Sequence, residues 1–316
     1  MSVISTDLRA EARHSERYTI ATAIDRAFVE PACVLIASIA ANAAVPDADI
    51  VVYGMGLTRS DRDRLRESSG AMADRLSILD LDFAARRLKR LPVSLTVPSV
   101  VAYARMLVPE ALPHRASRLL YLDSDIVVID SLRPLFEMSL DGAVLAALPD
   151  PLAPWVDLSF RSGVLKLSKP EFYFNSGVLL IDVDAWERAD VTEKTFEFCD
   201  QLRPGARLLY PDQDVLNSVL ATRWLPLDRR WNYFLIEEGM SLQRFLSDAA
   251  IVHFASGKKP WIDGSTHPAQ QIYLDYRKRT PFADKPLMSS VNHRLNQFLR
   301  SPISTIRNLS SRFLGN

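Results

Sequence analysis

Cysteine is almost missing from this chain of 316 residues: Cys33 and Cys199 are its two. Two thiols exclude a disulfide framework and a Cys-rich zinc site, and both are expected to be free and buried. Net charge is missing as well. Lys plus Arg and Asp plus Glu each total 38, so the basic excess of a general nucleic-acid binder is absent and no nucleic-acid partner is expected. The first 17 residues carry charges of both signs and no apolar core, which excludes a secretory signal there. The longest apolar run, residues 31–46, is shorter than the roughly 20 residues needed to cross a bilayer. A cytoplasmic protein is the expectation. At 48% hydrophobic and 24% charged residues, the chain has an ordinary globular composition and can bury a core. Its length suits one large α/β domain or one and a half smaller ones.

Strands and helices alternate through the first half, which predicts a mostly parallel sheet with crossover helices. Strands are expected over residues 18–24, 50–53, 76–81 and 118–122. Helices are expected over 30–44, opened by Pro31, over 59–69 beginning near Thr58, and over 101–107. The second half is more mixed: a strand over 172–181, helices over 184–202 and 214–223, and a short strand over 250–254. The last segment, 285–316, differs. It holds Lys285, Arg294, Arg300, Arg307 and Arg312 and no acidic residue, while Leu295, Phe298, Leu299, Ile306, Leu309 and Phe313 recur at helical spacing. A basic amphipathic tail of this kind suits the surface of an anionic membrane; an ordinary solvated terminal helix has the same pattern.

Chemistry concentrates in four places. Asp123 and Asp125 interrupt an otherwise apolar run from Leu119 to Ile129. Residues two apart in a strand face the same way, so their carboxylates converge, and two like charges there call for a cation. Carboxylate oxygens suit Mg²⁺ or Mn²⁺, and the carboxyl end of a strand is where open α/β sheets bind ligands. His253 closes the late apolar strand, and a neutral imidazole would complete a mixed oxygen and nitrogen shell, for which Mn²⁺ is the better fit. The loop after it, from Ser256 through Gly257 to Lys259 and Trp261, could hold a diphosphate through backbone N–H groups and a point charge. Phe174-Asn175-Ser176-Gly177 lets a backbone approach a ligand closely. Asp212, Gln213 and Asp214 could bind sugar hydroxyls at a helix start. Each has an ordinary explanation when taken alone: solvated turn aspartates, a core histidine, a turn, a helix N-cap. A nucleotide diphosphate sugar explains all four at once.

The order of these motifs resembles glycosyltransferase family 8, especially the bacterial lipopolysaccharide galactosyl- and glucosyltransferases. The resemblance runs from about Tyr18 to Trp261 and rests on Ala23-Ile24-Asp25, Tyr103-Ala104-Arg105, Leu122-Asp123-Ser124-Asp125, Phe174-Asn175-Ser176-Gly177-Val178-Leu179, Asp212-Gln213-Asp214-Val215-Leu216-Asn217, and His253-Phe254 with Lys259-Pro260-Trp261. It implies a Rossmann-like GT-A nucleotide-sugar fold with a mixed central sheet over 18–280 and a separate tail over 285–316. It also implies Mn²⁺, with Mg²⁺ as the other candidate, a UDP-sugar donor, an oligosaccharide or lipid-linked glycan acceptor, and retention of anomeric configuration. By position, Asp123, Asp125 and His253 would hold the metal. Ala23, Asp25 and Phe28 would meet the nucleotide, Arg105 and Asp212 the donor sugar, and Lys259 the diphosphate. Gln213 would lie beneath the anomeric carbon, Asn175 and Ser176 in the sugar pocket, Ser124 and Ser256 beside the donor, and Asp150 at the acceptor.

Two positions depart from the family pattern. Ala27 stands where an Asn is usual, removing one nucleotide hydrogen bond, and Ser256 stands where a Gly is usual, with Gly257 one residue later. A sugar-1-phosphate nucleotidyltransferase is the rival enzyme class, but it would need a glycine-rich loop after the first strand, and residues 25–31 contain no glycine. A carbohydrate-binding protein without catalysis is the other alternative; the full set of metal ligands argues against it.

Overall fold

A computed structural model describes residues 18–45, 47–81, 84–88, 91, 99–151, 173–202, 208–234 and 242–290. Its frame is a seven-stranded sheet in the order β3-β2-β1-β4-β7-β6-β8. The strands are β1 (Tyr18–Asp25), β2 (Asp49–Met55), β3 (Leu76–Asp80), β4 (Arg118–Leu122), β6 (Leu145–Pro149), β7 (Phe174–Asp182) and β8 (Trp224–Pro226). β1 to β4 run parallel, and β7 lies antiparallel to both β4 and β6, so the sheet is mixed as expected. A second, two-stranded sheet pairs β5 (Ile126–Val128) antiparallel with β9 (Ile251–His253).

The period-2 pattern explains why both faces of the large sheet are covered. On β4, Leu119 and Tyr121 enter one apolar cluster with Val51, Tyr53, Leu179 and Ile181. Leu120 and Leu122 enter the cluster on the other face with Ile20, Ile50, Val178 and Leu180. The helix Val29–Asn42 is buried nearly all round, from Val29 through Ile39, which accounts for its continuous apolar sequence. Pro31 sits in its first turn, where a missing N–H costs nothing. The helix Arg59–Ser68 is the opposite case, charged and opened by a reciprocal Thr58–Asp61 capping box.

Three expected elements differ in the structure. The stretch 101–107 is a 3₁₀ helix over Val100–Met106, whose first turn Ser99 caps through its hydroxyl at 3.4 Å from Val101 N. The single helix expected over 184–202 is two, Val183–Arg188 and Val191–Asp200, broken at Asp190 with φ 55°. The break brings the fully buried Trp186 back against the second helix, where its indole N–H donates to Thr192 Oγ1 at 3.0 Å. The helix expected over 214–223 begins earlier and is Pro211–Leu220. Asp214 therefore reaches back from inside the first turn, accepting from Leu209 N at 2.9 Å and Tyr210 N at 3.2 Å. Cys33 is buried and Cys199 half-buried, both free. Most of the tail expectation, residues 291–316, lies outside the described residues, as does residue 172. Among the described residues no helix is long and apolar enough to cross a membrane.

Candidate active site

The site lies where the two sheets meet. β1 and β4 both end there, at Asp25 and just before Asp123. β7 runs the other way, so its opening residues lie alongside: Leu122 pairs with Val178, and Asp123 N donates to Gly177 O at 2.8 Å. β6 delivers Asp150 to the same edge, with Asp150 N donating to Tyr173 O at 2.9 Å. The small sheet supplies the last wall. Ile126 on β5 pairs with His253 on β9, and Phe254 N donates to Asp125 O at 2.9 Å.

This topology gathers Asp123, Asp125 and His253, one ligand atom of each lying within 4.8 Å of the others. His253 Nε2 is 3.3 Å from Asp125 Oδ1 and 4.0 Å from Asp123 Oδ2. Two carboxylates and one imidazole form a donor set for a hard-to-borderline divalent ion, so the residues present fit the expected metal. Burial pushes the Asp123 carboxyl up, with Arg105 drawing it down and the Asp125 charge adding to the rise. Burial acts the same way on Asp125, but Lys259 and His253 outweigh it and hold that carboxyl below the usual range.

Arg105 is the hub of the adjoining wall. It is only 5% exposed. One terminal nitrogen donates to Asp123 Oδ1 at 2.8 Å and the other to Ser176 O and Oγ at 2.6 and 2.7 Å. Its Nε lies 3.2 Å from Asp212 Oδ2 and donates to Ala102 O at 2.8 Å. The planar fork thus ties the metal-side carboxylate to the helix start at Asp212. Burial opposes its charge, but Asp123 and Asp212 outweigh that and keep the guanidinium firmly protonated. Gln213 is held at both ends: Oε1 accepts from Ser176 N at 3.0 Å, and Nε2 donates to Asp150 Oδ2 at 2.9 Å.

A cavity of about 450 Å³ opens among these groups. Ala23, Asp25, Phe28, Arg105, Asp123, Ser124, Asp125, Asp150, Asn175, Ser176, Asp212, Gln213, His253 and Ser256 all line it. Asp25 Oδ1 accepts from Ala27 N at 3.0 Å and Oδ2 from Ser99 Oγ at 2.9 Å. Phe28 stands edge-on to Trp261, ring centres 5.9 Å apart. Lys259 lies against the metal cluster: its ammonium donates to Asp125 Oδ2 and Phe254 O, both at 2.7 Å.

Sequence reasoning missed three contributors. Ser99 links Asp25 to the helix that carries Arg105. Tyr173 Oη donates to Asp214 Oδ1 at 2.6 Å, fixing the turn that presents Asp212 and Gln213. Asn232, fully buried, lies 2.8 Å from His253 Nδ1 through its Oδ1. For the helix start itself Pro211 was a legible signal, since proline favours the first helical position and would have put Asp212 and Gln213 inside the helix.

Known proteins place this arrangement. The chain is 25% identical over 246 residues to General stress protein A of Bacillus subtilis, covering 74% of this chain and 83% of that protein. It is 26% identical over 300 residues to the lipopolysaccharide 1,3-galactosyltransferase of Salmonella typhimurium, covering 90% and 86%. The structure of galactosyltransferase LgtC in complex with donor and acceptor sugar analogs superposes with a TM-score of 0.64 at 23% identity, covering 83% of this chain and 96% of that one. That likeness fixes the fold as GT-A, a fold in which glycosyltransferases use a divalent metal, a nucleotide sugar and a glycan acceptor. The model of glycosyl transferase family 8 matches residues 19–264, and with that match spanning most of its length the chain belongs to the family.

Proposed function

We propose that this glycosyltransferase moves a galactose or glucose from a UDP-sugar to a glycan acceptor of a lipopolysaccharide or other surface polysaccharide, with Mn²⁺ and with retention of anomeric configuration. The observation that carries the reading is the gathering, around one cavity, of the Asp123, Asp125 and His253 cluster with Asp212, Gln213 and Asp150. The names of relatives that act on lipopolysaccharide support the acceptor class.

The chemical problem is charge separation. As the bond from the anomeric carbon breaks, negative charge grows on the diphosphate and positive charge on the sugar ring. A divalent ion on Asp123, Asp125 and His253 would supply Lewis-acid stabilisation of the departing diphosphate. Arg105 bridges Asp123 and Asp212, so the two carboxyl groups are held in place before reaction and need not reorganise. Lys259 lies next to the same cluster and would need only to swing from Asp125 to meet a diphosphate. Asp150, anchored by Gln213, is placed to accept a hydrogen bond from an acceptor hydroxyl.

The residues beneath the ring argue against a covalent glycosyl-enzyme. Gln213 is a neutral amide with both ends engaged. Asp212 is 4% exposed and is held by Arg105 and by Ser176 Oγ at 3.2 Å, which lowers its power as a nucleophile. Same-face attack follows, with the leaving diphosphate taking the acceptor's proton. Peripheral contact with anionic membrane through residues 285–316 belongs to the same proposal; truncation after residue 290, which keeps the Met288 N bond to Trp261 O, should abolish vesicle binding and leave donor hydrolysis intact.

The deciding experiment is a panel of UDP-, GDP- and dTDP-sugars assayed with Mn²⁺, Mg²⁺ and chelator. Turnover of UDP-galactose or UDP-glucose that disappears with chelator is expected. Equal turnover with chelator, or preference for another nucleotide, overturns the reading.

A further inference from the structure

The orientation of His253 can be followed back through a chain of amides to a group whose direction is not adjustable. Gly177 N–H can only donate, and it donates to Asn175 Oδ1 at 3.0 Å. Asn175 must therefore present its oxygen on that side, and its Nδ2 is turned toward Asp150 Oδ2 at 3.4 Å, a carboxylate that can only accept. The same Asn175 oxygen receives a second hydrogen bond, from Asn232 Nδ2 at 2.9 Å. With its nitrogen committed there, Asn232 can offer only Oδ1 at its other end. That oxygen lies 2.8 Å from His253 Nδ1.

We propose that Asn232 is a positioning residue that fixes the tautomer of His253. An oxygen facing Nδ1 requires the proton on Nδ1, so that Nε2, 3.3 Å from Asp125 Oδ1, is the nitrogen left for a metal. The other tautomer would put two lone pairs against each other at Asn232 and aim an N–H into the metal cluster. Burial makes the constraint stiff: Asn232 is fully buried and His253 is 3% exposed, so water has little access to replace either partner. The chain also links Asp150 on the acceptor side to the metal-side imidazole through Asn175 and Asn232 alone. This inference rests on the reading of Asp123, Asp125 and His253 as metal ligands.

The test uses full-length protein with ¹⁵N-labelled histidine. Long-range ¹H–¹⁵N spectra without metal report which ring nitrogen of His253 carries the proton, the signal being identified among five histidines with His253→Gln. The wild type is expected to show Nδ1–H. Asn232→Leu is expected to shift His253 toward Nε2–H and to weaken Mn²⁺ binding, followed by electron paramagnetic resonance, about 10–100-fold, as loss of an orienting partner typically does. Asn232→Asp keeps an acceptor at Nδ1 but loses the donor to Asn175 Oδ1, so it is expected to retain the Nδ1 proton even where stability and metal affinity fall, which a purely structural role would not predict. Should Asn232→Leu not fold, Asn232→Ser is read in its place. An unchanged tautomer and Mn²⁺ affinity in the Leu or Ser variant overturns the proposal, as does an Asp variant that loses the Nδ1 proton. Wild-type protein that binds no Mn²⁺ would instead overturn the metal reading, while the tautomer comparison still decides the role of Asn232.

Discussion

Gly177 and His253 are in such close contact that a β-carbon built on Gly177 would lie 2.3 Å from His253 Cε1, and 2.9 Å from Asp123 Oδ2. The glycine is required for space, since its carbonyl must stay on Asp123 N while the imidazole occupies the room its side chain would take. Gly177→Ala should therefore push the ring away from the carboxylates without unfolding the sheet. Calorimetry should show Mn²⁺ affinity reduced at least about 10-fold, with a melting temperature within a few degrees of wild type. Full metal affinity in the alanine variant would mean that the cluster does not bind metal as described.

Arg105 touches both Asp123 and Asp212 from a buried position. Removing one partner from a buried charged network leaves the others uncompensated, at a cost of about 3–5 kcal/mol. Arg105→Met should lower unfolding stability by that order and abolish turnover. Arg105→Lys should recover part of the stability but little activity, because an ammonium cannot span Asp123, Ser176 and Asp212 as the fork does. Urea titrations of the two variants, read beside their kcat values, check both statements. A Met variant as stable as wild type sinks the argument.

The legibility of the site in the sequence followed the range of each interaction. Asp123 and Asp125 could be seen because an acidic pair breaks an apolar strand, a local pattern with few explanations. His253 could be named from residue type, and the register of β5 against β9 then explains its arrival beside Asp125. Asn232 could not be seen. It stands between Trp231 and Tyr233 in no periodic pattern, and its role exists only through partners 57 and 21 residues away. The break at Asp190 was hidden for a related reason: neither glycine nor proline marks it, and the Trp186–Thr192 hydrogen bond that accompanies the turn is tertiary in effect though short in sequence. The pairing of Lys259 with Asp125 was equally out of reach, since a loop lysine has several partners within its reach.

Gln213 offers a test of the neutral-amide argument. In Gln213→Glu, a carboxylate would replace the Nε2 donor that now lies 2.9 Å from Asp150 Oδ2. Two carboxylates at that separation cannot both stay ionised, so they should share a proton. The disturbance falls on the acceptor side and beneath the ring together, and kcat should drop at least about 10-fold with less change in donor KM. Mass spectrometry of the wild type incubated with donor alone checks the alternative path: a covalent hexosyl adduct on Asp212 as the main productive route would contradict same-face attack.

His267 ties the loop after the metal cluster to acid stability. Its ring packs edge-on against Phe254, centres 4.7 Å apart, and Nδ1 accepts from Ala269 N at 3.1 Å, which requires an unprotonated nitrogen. Burial first, then the charges of Lys259 and Lys258, lower its pKa from 6.5 to about 4. The unfolded chain therefore binds a proton as pH falls through 6.5 while the folded chain refuses it until about 4. The contribution of this group is whole above that window and is lost across it, amounting to at most about 3 kcal/mol. Asp214 works in the opposite direction, since burial raises its carboxyl to about 6 and folding gains as that group protonates. The raw stability curve mixes the two. The difference in unfolding free energy between wild type and His267→Gln isolates the histidine, and it should shrink steadily from pH 6.5 toward 4. A difference that stays level across that range would show that His267 takes up its proton in the folded protein as readily as in the unfolded chain.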